Sequence, residues 1–153
     1  MAVNPIPAGY HSVTPYLIVG DGAKAIEFYK QAFGAVEVMR LEHGDKIGHA
    51  EVKIGDSHVM LADEFPEHGA KSPQTLGGTP TGLCLYVPDC DATLAQAVAA
   101  GATIERPLQD QFYGDRSGTV IDPFGHKWTI STHIEDLSPE DIERRMAEWS
   151  KKN

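Results

Sequence analysis

The run Gly118-Thr119-Val120-Ile121-Asp122-Pro123-Phe124-Gly125-His126-Lys127-Trp128-Thr129-Ile130-Ser131 reads as two strands joined by a tight turn. Thr119, Val120 and Ile121 are β-branched. After the turn, Trp128 and Ile130 alternate with Lys127, Thr129 and Ser131, the period of a strand with one covered face. Between them Pro123 has a φ already suited to the second turn position, and Gly125 takes a position where φ is positive. Asp-Pro-x-Gly turns occur in many sheets, so the weight of this one lies in what repeats around it.

Upstream, Leu83 to Val87 reads as a strand broken by Pro88-Asp89. Asp89 or Asp91 can cap a helix carrying Leu94, Ala97 and Val98 on one face, closed by Gly101. Thr103 to Pro107 and Gln111 to Tyr113 follow as extended segments leading into the hairpin. The first half has the same order. Val13 to Val19 is a strand, placed at an edge by Pro15, which cannot donate to a ladder. Asp21 caps a helix with Ile26, Tyr29 and Phe33 on one face, Gly34 ends it, and alternating segments follow at Val36–Leu41, Ile47–Ile54 and Val59–Ala62.

Each half therefore reads β-α-β-β-β. Val19-Gly20-Asp21 falls on Val87-Pro88-Asp89 at an offset of 68 residues, Gly34-Ala35 on Gly101-Ala102 at 67, and His58 on His126 at 68. Two copies of one unit, neither able to bury its sheet face alone, account for that agreement. The chain divides into an N-terminal extension (1–11), a first unit (12–62), a linker loop rich in Pro, Gly and charge (63–80), a second unit (81–133) and a C-terminal helix (134–153). Ser138-Pro139-Glu140-Asp141 starts that helix. Its stripe of Ile142, Met146 and Trp149 suits packing on its own domain or across a dimer.

A formal charge of −9 over 153 residues, with no basic stripe, argues against nucleic acid or an anionic membrane as partner. Cys84 and Cys90 form no metal-ligand spacing, so a reduced, intracellular setting is the simpler reading. The first dozen residues lack the basic start and apolar core of a signal peptide, and no apolar run is long enough to span a bilayer. The cytoplasm is the expected location.

Two β-α-β-β-β units, the first opened by strand-Gly-Asp-helix and the second closed by Asp-Pro-Phe-Gly-His, resemble the vicinal oxygen chelate superfamily of glyoxalases, bleomycin-resistance proteins and dioxygenases. The segments His49-Ala50-Glu51-Val52, Gly55-Asp56-Ser57, Met60 to Glu64 and Phe112 to Arg116 resemble its PhnB-like branch. The resemblance implies an α+β fold: two βαβββ units forming a curved eight-stranded mixed sheet around a cup, plus the C-terminal helix. Relatives of this size place the cavity at or near a two-fold interface, which implies a homodimer.

Enzymes of that superfamily hold a divalent metal with His and Glu from the first and last strands of each unit, leaving room for two substrate oxygens. Carried over by the strand breaks and the turn, those positions fall on Thr14, Leu61, Leu83 and Thr129. A one-residue slip gives Pro15, Met60 or Ala62, Gly82 or Cys84, and Trp128 or Ile130. Neither set supplies the family's His and Glu ligands. The expectation is thus a protein without metal or other cofactor that binds or sequesters a small, partly apolar molecule. Thr14, Tyr16, Leu61, Leu83 and Thr129 would line the cup, with Tyr113 and Arg116 near its mouth. Arg116 could pair with a ligand anion or with Asp115 or Glu105.

The alternative is a metal-dependent lyase, isomerase or dioxygenase with a relocated site. His49 and Glu51 lie two apart on a strand and share a face, and His11 or His58 could complete a set. The competing reading of that pair is a solvated or interfacial charge pair. His58 and His126, at matching places in the repeat, suggest a shared structural hydrogen bond, and Cys84, between two leucines, reads as buried and inert.

Overall fold

The computed structural model describes residues 2–153. Its strands and helices follow the order β1 (Tyr16–Val19), α1 (Gly22–Phe33), β2 (Val36–His43), β3 (Lys46–Ile54), β4 (Ser57–Asp63), α2 (Pro73–Leu76), β5 (Gly82–Tyr86), α3 (Cys90–Ala100), β6 (Thr103–Asp110), β7 (Asp115–Ile121), β8 (Lys127–His133) and α4 (Pro139–Lys152). The eight expected strands form two four-stranded mixed sheets, ordered β1-β4-β3-β2 and β5-β8-β7-β6, rather than one continuous ladder. In each sheet the strand before the helix pairs in parallel with the last strand, and the remaining pairs are antiparallel.

Local chemistry sets these boundaries. Asp21 and Asp89 each cap a helix by accepting a backbone N–H, from Lys24 and Ala92, which satisfies donors the first turn leaves free. Pro15 lies just before β1, an edge strand, where its missing N–H costs nothing. Gln111–Gly114 is a turn, not the extended segment expected there. Gly114 sits at φ 99° and its carbonyl accepts from the N–H groups of Ile134 and Glu135. A Cβ on Gly114 would stand 2.6 Å from the Glu135 carbonyl oxygen, so the crossing chain demands a glycine and ends the ladder. The linker, read as loop, contains the 3-10 turn Pro66–His68 and the short α2, capped by Ser72.

The opening hairpin joins the halves. Gly125 has φ 93° and donates to the Asp122 carbonyl at 3.0 Å. The buried Asp122 carboxylate accepts from Phe124 N and His126 N within the turn, from Trp128 Nε1 at 2.9 Å, and from the Tyr29 hydroxyl of α1 at 2.6 Å. Burial, and then the charge of Asp122, push the Tyr29 phenol well above its usual range. His126 Nε2 donates to the Ile18 carbonyl at 2.9 Å. Around these bonds Tyr29 and Phe33 pack on Trp128, with ring centroids 5.4 and 4.7 Å apart, in one core that spans both halves.

Each sheet therefore has a covered face and an open one. Leu17, Val52, Val59 and Leu61 are buried on the covered face of the first sheet, and Val120, Trp128 and Ile130 on that of the second. Val98 on α3 is 38% exposed, outside the stripe expected for it, and no residue of α4 is buried.

Candidate functional site

Directly paired strand residues point to the same face, so the ladder registers define what each open face presents. On the first sheet one row crosses from Met39 through Glu51 and Met60 to Tyr16. On the second sheet the corresponding row runs from Arg106 through Thr119 and Thr129 to Cys84.

The first row carries a hydrogen-bonded relay. The Tyr16 hydroxyl lies 2.7 Å from His49 Nδ1, and His49 Nε2 lies 2.8 Å from Glu51 Oε2. Because a carboxylate only accepts, a neutral His49 carries its proton on Nε2, and Nδ1 accepts from Tyr16. Burial raises the Tyr16 phenol. The second sheet has its own triad wired differently. Asp115 accepts from Tyr86 at 2.6 Å and faces His133 Nδ1 at 2.8 Å, and His133 Nε2 reaches Asp136 at 2.8 Å. The Asp115 bond pushes Tyr86 up to about 12, and the Asp115 and Asp136 bonds raise His133.

A cavity of about 410 Å³ opens on the second sheet. Its floor is polar: Ser117, Thr119 and Thr129 from β7 and β8, with Gln109 and Gln111 beside them. Thr119 and Thr129 bond to each other at 3.0 Å, and Gln111 Nε2 donates to Ser117 Oγ at 3.2 Å. Its walls are the rings of Phe112, Tyr113 and Trp149, with Phe112 5.3 Å from Tyr113 and 5.7 Å from Trp149. Arg106 stands at the end of the floor.

The residues expected to line one cup are distributed over several places. Tyr113 and Thr129 meet in this cavity. Thr14 and Leu83 meet in a groove of about 230 Å³ between the halves, and Tyr16 and Leu83 border another of about 220 Å³ beside α2. Leu61 lines no described cavity: it is fully buried opposite Leu17, on the helix side. Leu83 pairs with the buried Trp128 and packs against the core. Arg116 is held by Asp91 at 2.8 Å and Asp110 at 3.1 Å, not by Asp115 or Glu105, and is not free for a ligand.

The misplacement of Leu61 traces to a one-residue slip. Ile54 pairs with Ser57 around a two-residue turn, whereas the matching Asp122 donates its N–H to the His126 carbonyl around a three-residue one. The offset between the halves is therefore one larger beyond the hairpin. Met60, not Leu61, matches Thr129, and Lys127, not His126, matches His58. The two histidines do each donate to a carbonyl, but of Gly9 and Ile18 rather than of their own turns. Cys84 lies on the open face and is exposed, not buried.

These donor sets do not suit the superfamily's divalent metal. Thr129 is bonded to Thr119, Met60 and Met39 offer thioethers, and Leu61 is in the core. Both nitrogens of His49 already have partners, and neither His11 nor His58 joins it; among the described residues no three His, Cys, Asp or Glu side chains converge.

Comparison with known proteins agrees with this architecture. The profile of the Glyoxalase/Bleomycin resistance protein/Dioxygenase superfamily matches residues 9–130. The chain belongs to that superfamily. It is 43% identical over 151 residues to the uncharacterised protein Mb0911c of Mycobacterium bovis, covering 96% of this chain and 97% of that one. The crystal structure of TioX from Micromonospora sp. ML1 superposes with a TM-score of 0.63 at 26% identity, over 84% of this chain and all (100%) of that one. The PhnB protein of Bacillus cereus shares the superfamily fold with a TM-score of 0.62 at 18% identity, over 80% of this chain and 99% of that one. No helix among the described residues is long and apolar enough to cross a membrane.

Proposed function

We propose that this chain is a binding protein of the superfamily that takes a small, flat, partly apolar molecule into the cavity on its second sheet without a metal ion. The observation that carries this reading is the cavity's make-up: three aromatic rings over a floor of hydroxyls and amides, the ordinary composition of a small-molecule site. Thr129 and Tyr113 are its ligand-binding residues. The metal-dependent alternative rests on His49 and Glu51, but both His49 nitrogens are engaged, by Tyr16 and by Glu51, and among the described residues no third His, Cys, Asp or Glu converges on the pair.

A cytoplasmic homodimer is the form this reading favours. Tyr16, Val38 and Leu41 of the first sheet are each about half exposed, at 47%, 48% and 56%, an apolar surface that a second copy would cover.

Titration with 1-naphthoate, followed by tryptophan fluorescence, tests the reading. Quenching that saturates, is lost in Trp149→Phe, and is unchanged by EDTA supports it. Quenching abolished by EDTA and restored by Mn²⁺ or Zn²⁺ contradicts it.

A further inference from the structure

We infer that the second-sheet cavity selects a flat aromatic molecule bearing a carboxylate, with Arg106 as its counter-charge. This rests on the reading that the cavity binds a small molecule, and adds the ligand's charge.

The backbone is shaped to deliver this side chain. Ile104 pairs with Val120 and Arg106 with Thr119, so two steps on β6 match one on β7, and Glu105 is the extra residue of a bulge. In a regular strand Ile104 and Arg106 would share a face. The bulge instead turns Arg106 to the open face, opposite Thr119, while Val120 stays fully buried. Between Arg106 and Gln109 a second bulge contains Pro107, which has no N–H to lose from the ladder. Leu108 packs back on the core, and Gln109 returns to the open face opposite Ser117.

Charge supports the same conclusion. The chain has five arginines and a net charge of −9. Arg40, Arg116, Arg144 and Arg145 each pair with a carboxylate. Among the described residues Arg106 alone does not, and no Asp or Glu lines its cavity. A planar guanidinium beside aromatic rings and hydroxyl donors accepts a carboxylate in two parallel bonds. In an acidic protein, leaving one such group without a partner in an acid-free cavity reserves it for an anion brought from outside.

The test compares 1-naphthoate with 1-naphthalenemethanol, the same ring system without the charge, by calorimetry on the intact protein and on Arg106→Gln. Naphthoate is expected to bind at least about tenfold more tightly than the alcohol, as a charged hydrogen bond provides. Arg106→Gln should bring the two within about twofold, with the thermal midpoint unmoved because the side chain is exposed. Equal binding of both probes to the parent, or a preference that survives in Arg106→Gln, overturns the charge assignment and leaves the cavity reading standing. Binding of neither probe overturns both.

Discussion

The two open sheet faces are built on one register and present opposite chemistry. Met39, Glu51, Met60 and Tyr16 cross the first sheet where Arg106, Thr119, Thr129 and Cys84 cross the second. The first row is soft and apolar around one acid, whose charge is committed to His49. The second is hydroxylic and ends in a cation committed to nothing within the described chain. The covered faces, by contrast, stay alike: apolar side chains under a capped helix. Folding constrains the faces that meet, and the faces that do not meet are free to diverge toward ligands.

The sharpest way to break this contrast is to remove the join that the halves share. Asp122→Ala strands the donors of Tyr29 and Trp128 inside the core, and we expect a loss of about 4 kcal/mol in chemical denaturation. The register is tested next. Leu61→Ala should cost about 3 kcal/mol and Met60→Ala less than about 1 kcal/mol; the reverse order would put Leu61 on the open face. Thr129→Val removes the bond to Thr119 and should cost about 1 kcal/mol while weakening naphthoate binding.

The smallest effect is a pH dependence confined to the second half. Its bonds to Asp115 and Asp136 raise the folded-state value of His133 above 6.5. The stabilisation is therefore fully present below about pH 6.5 and lost as pH rises through the raised value. A proton NMR titration should find the His133 midpoint above that of His133 in Asp115→Asn.

Much of this was legible in the chain. The caps Asp21 and Asp89, the endings Gly34 and Gly101, and the Asp-Pro-Phe-Gly turn depend on neighbours in sequence, and local chemistry decides them. What stayed hidden depends on pairing across space. The three-residue turn, against two in the first half, shifts the last strand by one, which exchanged Met60 for Leu61 and moved a residue to the wrong face. The bulge at Glu105 has no residue-type signature, so Arg106 went unnoticed, while Arg116, more conspicuous beside Asp115, proved committed to Asp91 and Asp110. The relay of Tyr16, His49 and Glu51 was half visible in the His-x-Glu spacing, but its third member comes from a different strand.

Chemical-shift mapping of the amide-labelled protein with 1-naphthoate tests the central claim most directly. The account predicts shifts confined to the cavity lining, at Arg106, Phe112, Tyr113, Ser117, Thr119, Thr129 and the segment around Trp149, unchanged by added chelator. Shifts centred on Tyr16, His49 and Glu51 that need a divalent ion would contradict it.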